Sequence, residues 1–301
     1  KEANEILNKF DGGFNIEEVV TIDGRKLNYV INKTMMRIDL IKPMKPGSKM
    51  SISIRWNYNI QDRIFMGGRP GYEFFKSDSN YLYTICQWFP RMAMYNDVYG
   101  WQNKQFLGRG EFTLDFGDYD VRITVPSDHI VAATGELQNS MEVLTSAQIK
   151  RLKQARASDE PVIIITQGEA EKNEKSRSKK FKTWRYKAKN VRDFAFTSSR
   201  KFIWDAMGIR LGSRTIMAMS YYPKEANPLY ERYSTRAVAH TVRVYSKYTF
   251  DYPYPVAISV EANNGMEYPM ICFNYGRPEK DGTYSERIKY GMISVIIHEV
   301  G

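Results

Sequence analysis

From Met50 to Ile60 the chain alternates without a break. Met50, Ile52, Ile54, Trp56, Tyr58 and Ile60 are separated by Ser51, Ser53, Arg55, Asn57 and Asn59. A period of two puts every apolar side chain on one side of an extended backbone, so this stretch is expected to be a strand with one buried face. Lys45-Pro46-Gly47-Ser48 supplies the turn before it. The pattern recurs in Val121, Ile123 and Val125, and Pro126 ends it. Residues 161–168, "PVIIITQG", form a continuous β-branched run, the pattern of a strand covered on both faces. Between these strands only "TSAQIKRLKQARAS" has helical spacing, through Ile149, Leu152 and Ala155. Residues 1–199 are therefore expected to form a mainly antiparallel β domain.

After residue 199 the pattern changes. Asn227 followed by Pro228 has the order of a helix N-cap and first position, and Glu231 in the first turn favours the helix dipole. That helix can run until "DYPYP" stops it. Thr283-Tyr284-Ser285-Glu286 fits a capping box. The helix it opens carries Ile288, Met292, Ile293, Val295, Ile296 and Ile297 around nearly its whole circumference, which predicts a helix central in its domain. Residues 200–301 are expected to be α/β or mostly α, making the fold class α+β with two domains.

Bulk properties exclude several classes. With 43% hydrophobic and 14% aromatic residues, the 301-residue chain can bury a sizeable core. No apolar stretch reaches the eighteen or so residues of a membrane-spanning helix. Cys86 and Cys272 sit among apolar neighbours, in "YTICQWF" and "PMICFNY", and are expected to be buried thiols. The net charge of +10 favours anionic partners. Much of that excess lies in 171–189, a polar stretch mixed with Glu that is expected to be a solvated loop or hairpin tip. It lacks any nucleic-acid-binding motif, so no nucleic-acid partner is expected. Docking of an acidic partner or membrane through Lys179, Lys180 and Lys182 is the other reading of the stretch.

The chemistry concentrates late in the chain. His298 and Glu299 close the apolar helix, and ionisable groups at a buried helix end need a partner or a metal. His-Glu-x-x-His on a helix places two imidazoles one turn apart for zinc, with the glutamate activating a water. Only His-Glu-x-x is present, and the next position on the histidine's face would be 302. Upstream, Gly265-Met266-Glu267-Tyr268-Pro269 combines a glycine that allows close backbone approach with a carboxylate among apolar residues.

In these residues the sequence resembles the M1 zinc metallopeptidases, the gluzincin aminopeptidases. That family carries Gly-x-Met-Glu-Asn some thirty residues before His-Glu-x-x-His, and "NGMEYP" precedes "HEVG" by a matching interval. The stretches 87–101, 110–137 and 191–205 are similar to the N-terminal domain of bacterial members. The resemblance implies a saddle-like N-terminal β domain followed by the first part of a thermolysin-like catalytic domain. It also implies one Zn2+ and a peptide substrate with a free N-terminus. His298 would be the first zinc ligand and Glu299 the general base. Glu267 would grip the substrate's α-ammonium, with Gly265 and Met266 lining the substrate track and Gln87 in the pocket wall. Tyr268 departs from the usual Asn, which bears on amine-end selectivity. The second histidine and the distal glutamate ligand fall beyond Gly301, so the chain is expected to be an incomplete piece of a longer enzyme, inactive alone. Bacterial relatives of this type are often exported, and export is the expected localisation. The alternatives are a scaffold that has lost catalysis and a bifunctional hydrolase whose zinc also activates water against an epoxide.

Overall fold

The computed structural model describes residues 10–106 and 113–301. In chain order, strands β1 (Asn15–Thr21), β2 (Tyr29–Asn32), β3 (Met35–Ile38) and β4 (Ile52–Asn57) come first. Helix α1 (Arg63–Met66), β5 (Gly71–Phe75), β6 (Asn80–Ile85), β7 (Tyr95–Asn96) and β8 (Gly100–Trp101) follow. Next are β9 (Gly117–Pro126), β10 (Ile130–Ala133), β11 (Glu136–Leu137), α2 (Ser140–Val143) and α3 (Ser146–Ala157). Then come β12 (Val162–Ile165), α4 (Gln167–Ser176), β13 (Phe181–Val191), β14 (Phe196–Ser199), β15 (Ile203–Leu211) and β16 (Arg214–Tyr222). The chain closes with α5 (Leu229–Tyr248), β17 (Val256–Glu261), β18 (Met266–Tyr268), β19 (Ile271–Asn274) and α6 (Glu286–Val300). The fold is mixed α+β with mostly antiparallel strand pairs.

Two compact units form, one from the segment ending at Gln61 together with Pro90–Asp115, the other from Asp62–Phe89 and Phe116–Gly301. In the first, β1 pairs antiparallel with β4, and β2–β3 and β7–β8 are hairpins. The alternation from Met50 to Ile60 gives a strand only over Ile52–Asn57, and the expected buried face is covered in part: Ile54 and Trp56 are half-buried, whereas Ile52 and Ile60 are exposed. The turn before it closes through Ser48 N–H donating to Lys45 O at 3.0 Å, with Gly47 at φ +74°.

The second unit holds a four-stranded sheet (β10-β14-β6-β5), a three-stranded sheet (β11-β13-β9) and a six-stranded one (β12-β15-β16-β17-β19-β18). The six-stranded sheet runs across residue 199, since β12 pairs with β15. Its strands β16, β17 and β19 are parallel neighbours; the other pairs are antiparallel. Both faces are covered, as the apolar runs of β15 and β17 require. On one face Ile203, Met207, Ile209, Ile216 and Ala218 meet Leu229, Val238 and Val242 of α5 and Met292 and Ile296 of α6. On the other, Trp204, Ala206, Met217 and Tyr221 join a core that includes Ala155 of α3, Trp184 of β13 and Val131 of β10.

Several expectations need correction. The basic stretch 171–189 is no loop. Its first part belongs to α4, opened by a reciprocal Thr166–Glu169 capping box, and its second part is β13, which buries Trp184, Tyr186 and Ala188 on alternate positions. Lys182 is half-buried, its ammonium 4.9 Å from the Trp184 ring centre and donating to Val143 O at 3.2 Å. Burial lowers that ammonium's pKa to about 8 against the pull of Asp128. The N-cap of α5 is Pro228 rather than Asn227, whose amide donates to Glu231 at 3.2 Å. The capping residue of α6 is Ser285, accepting from Ile288 N–H at 3.3 Å, because the Thr283 hydroxyl is taken by Asp281. In α6 only Met292 and Ile296 are fully buried, so the helix is not enclosed on all sides. Its packing against α5 and β19 covers one face, and His298 lies on the exposed side, in line with Ser294 and Gly291.

A buried acid between α5 and the sheet gives a pH-dependent stability. Asp205 is fully buried and accepts hydrogen bonds from the hydroxyls of Thr235 and, at 2.7 Å, Tyr222. Burial outweighs those bonds and pushes its pKa up to about 7 from 3.8. An acid raised in the folded state keeps its proton longer when folded. Its contribution is therefore full at and below about pH 4 and is lost as pH rises toward about 7. Asp205→Asn, which keeps the shape of the neutral acid, is expected to flatten the fall in Tm across that window. An unaltered slope would show that the carboxyl is ionised in the native state throughout.

Candidate functional site

The site is built from β17, β18, β19 and the last turn of α6. Strand β17 is buried at every position, and the chain reverses beyond it through residues 262–265 into β18. Strand β18 closes the edge of the sheet, paired antiparallel with β19 in the register Met266–Phe273, Glu267–Cys272 and Tyr268–Ile271. Strand alternation then fixes the side chains: Met266 and Tyr268 face the core, and Glu267 faces solvent. Glu267 is thus a carboxylate on a sheet edge whose outer backbone side has no strand partner among the described residues.

The last turn of α6 lies over Gly265. A Cβ at that position would sit 2.8 Å from Glu299 Oε1 and 3.7 Å from Val295 Cγ1. The glycine leaves room for this close approach, and the Glu299 carboxylate rests against the turn that leads to Glu267. Both carboxylates act on the same buried thiol. Burial pushes Cys272 up to about 12, and the negative charges of Glu299 and Glu267 add to the rise. The structure so brings Gly265, Met266, Glu267 and Glu299 together around β18.

His298, next to Glu299 in sequence, points away from the packed face of the helix and is exposed. Among the described residues no group of three His, Cys, Asp or Glu side chains could hold a metal ion. An accessible imidazole at a helix end fits the part of a single zinc ligand, and the described residues offer no more than that. Gln87 is half-buried in a left-handed backbone conformation (φ +53°), two residues after the end of β6. The neighbouring Cys86 lies near β18: burial raises the Tyr268 phenol well above its usual range, and the Cys86 thiol adds to it. Tyr268 packs edge-on against Phe273, ring centres 6.2 Å apart. The tyrosine at the motif's divergent position is therefore a core residue.

Sequence reasoning missed the group that anchors this corner. Arg277, in the segment after β19, forks onto Glu261 at 2.9 Å through Nε and Nη2, and onto Glu73 of β5 at 2.6 and 2.8 Å. Glu261 is completely buried at the end of β17. Burial opposes the charge on Arg277, but Glu261 and Glu73 more than offset it and raise its pKa. The signal was available: a lone carboxylate ending the apolar run "VAISVE" demands a buried partner. A second missed residue is Gly276, where a Cβ would fall 2.3 Å from Met292 Cγ and hold α6 off the sheet.

No protein-family profile matches the sequence, and no curated protein does. Solved structures do match in fold. One is an M1 zinc metallopeptidase from Deinococcus radiodurans, with a TM-score of 0.55 and 14% identity over 97% of this chain and 54% of that one. Another is a glutamate-to-alanine variant of a two-domain M1 zinc metallopeptidase bound to L-arginine, with a TM-score of 0.54 and 14% identity over 96% of this chain and 55% of that one. A third, a Deinococcus radiodurans variant bound to a Tyr-Ser-Ala substrate, has a TM-score of 0.52 and 14% identity over 94% and 54%. This chain spans about half the length of those structures. Over nearly its whole described length, then, the chain has a fold similar to that of M1 zinc metallopeptidases.

Proposed function

We propose that this chain supplies the β-rich N-terminal part and the opening of the catalytic part of a zinc-dependent aminopeptidase, divided near residue 199. The observation that carries the reading is the Glu299 carboxylate lying against Gly265, one turn of chain from the edge strand that exposes Glu267. An extended peptide laid along the free side of β18 would put its N-terminus at that carboxylate. Glu267 would hold the α-ammonium, more strongly as bound substrate displaces water. Glu299 would take a proton from the attacking water and pass it to the leaving amine. His298 would be one protein ligand to zinc, which when bound supplies a Lewis acid for the scissile carbonyl. Gln87 and the backbone at Gly265 and Met266 would line the track.

The test is aminoacyl-anilide hydrolysis by the full-length protein, with and without a chelator. Chelator-sensitive release of the first residue is expected. Inactivity regardless of metal would favour a scaffold that keeps the fold alone. Export is retained as the proposed localisation, to be checked by fractionating cells that express the full-length protein.

Gly265 provides a sharper check. Gly265→Ala places a methyl where Glu299 Oε1 now lies, so the carboxylate must move. A displacement of that order is expected to lower kcat about 10²-fold, with Tm nearly unchanged because Gly265 is exposed. Full activity in that variant would separate Glu299 from the chemistry.

A further inference from the structure

The far edge of the six-stranded sheet carries a second candidate site. Strand β12 covers β15 only from Trp204 to Ala206, so among the described residues the rest of that edge has no strand beside it. The end of α3 takes the place: Gly208 N–H donates to Ser158 O at 2.8 Å. A Cβ on Gly208 would lie 2.5 Å from Arg156 O, so only glycine allows this approach. Next to the contact is a cleft of about 430 Å3 lined by Arg156, Ser158, Asp159, Gly208, Arg210 and Arg243. Its volume is in the range of small-molecule sites.

Three elements contribute one arginine each: Arg156 from α3, Arg210 from β15 and Arg243 from α5. All three are exposed, and among the described residues none has a carboxylate or hydrogen-bond partner. Asp159 lines the same cleft and leaves the positive charge in excess. A basic residue in the last turn of a helix is favourable by itself, which accounts for Arg156 but not for Arg210 or Arg243. The surroundings strengthen the field. Arg232, Arg236, His240, Arg243 and Lys247 recur every three or four residues, and all are exposed along one stripe of α5. Arg236 is paired with Glu160 and Arg232 donates to the Tyr284 hydroxyl at 3.0 Å, whereas Arg243 keeps its guanidinium for the cleft. Like charges gathered around one concavity repel, and an anion bound among them relieves the repulsion.

We propose that this cleft binds the phosphate groups of a small polyphosphorylated ligand. Guanidinium forks match phosphate oxygens in pairs, and three of them around one cavity suit two or more linked phosphates better than a single carboxylate. Asp159 in the lining can accept hydrogen bonds from hydroxyl or amino groups such a ligand carries, whereas the Ser158 hydroxyl is already held by the Glu160 backbone. Free polyphosphate and a phosphorylated lipid headgroup offer the same oxygens, so the test separates them. The site is independent of the peptidase reading, and each stands if the other fails.

Titration calorimetry of the purified chain with tripolyphosphate at low ionic strength is the direct experiment. Saturable one-to-one binding is expected, weakening as salt rises. Each of Arg156→Gln, Arg210→Gln and Arg243→Gln should weaken it about tenfold. Lys179→Gln with Lys180→Gln removes more charge from exposed positions outside the cleft and should leave affinity within about twofold. Sedimentation with phosphoinositide vesicles that free tripolyphosphate reverses would identify a headgroup as the source. Tripolyphosphate binding with no vesicle association would identify a soluble ligand. Absence of saturable binding, an equal loss in the lysine variant, or vesicle binding that tripolyphosphate does not reverse would each overturn the proposal.

Discussion

Glu299→Gln in the full-length protein is expected to lower kcat for aminoacyl-anilide hydrolysis by about 10²–10⁴-fold, the range that positioned proton-transfer groups contribute. The amide has the size of the carboxylate, so the close contact with Gly265 survives. What it loses is the ability to accept a proton and hand it on. KM should stay within about threefold, since in the proposed reading Glu267 rather than Glu299 would hold the ammonium. Glu267→Gln should do the reverse in part, raising KM steeply for substrates with a free N-terminus and much less for blocked ones. Glu267 is exposed on β18, so neither change should disturb folding. A loss of less than tenfold in the Glu299 variant would remove it from the proton-transfer role.

The largest effect on stability should come from Arg277→Ala. Its guanidinium makes paired bonds to Glu261 and Glu73, and it lies 5.1 Å from the Phe75 ring centre, with the Lys201 ammonium 4.6 Å from the same ring. Removing it leaves the completely buried Glu261 carboxylate without its counter-charge and facing Glu73. Breaking one partner out of such a buried group costs about 3–5 kcal/mol, which urea denaturation of the purified chain would measure. Arg277→Met combined with Glu261→Gln should recover most of that loss, because the desolvation cost of both charges goes with them. A cost near that of a surface pair, about 0–1 kcal/mol, would mean that water reaches the group. The consequence extends to the site, since Glu261 ends the strand that leads into Gly265 and Glu267.

How far this was legible in the sequence differs from element to element. The alternations at 52–57 and 117–126 gave strands because period-two burial is a local property, written wherever one face meets a core. The helix at 146–157 was legible only through the weak spacing of Ile149, Leu152 and Ala155, and the Thr145–Gln148 capping box that opens it was not read. The basic stretch misled because charge was weighed over pattern: Trp184, Tyr186 and Ala188 alternate within it, and Glu174 pairs with the buried Lys201 at 3.0 Å. Burial of α6 was overestimated because an apolar circumference records what could be covered, whereas packing on α5 and β19 covers one face. In the site, Glu267 among Met, Tyr, Pro and Ile reads as poorly placed to face solvent, yet β18 is an edge strand that exposes it, and the contact between Gly265 and Glu299 has no sequence signature beyond a glycine that permits close approach. The link from Glu261 through Arg277 to Glu73 spans more than two hundred residues of sequence, and no local pattern encodes a partner at that distance.

Zinc content measured on the full-length protein and on its His298→Ala variant tests the central claim most directly. One zinc per chain in the parent, lost on replacement of the imidazole together with hydrolysis, is the predicted result. A parent protein that purifies without zinc and takes up none, or a variant that keeps its metal and its activity, would contradict it.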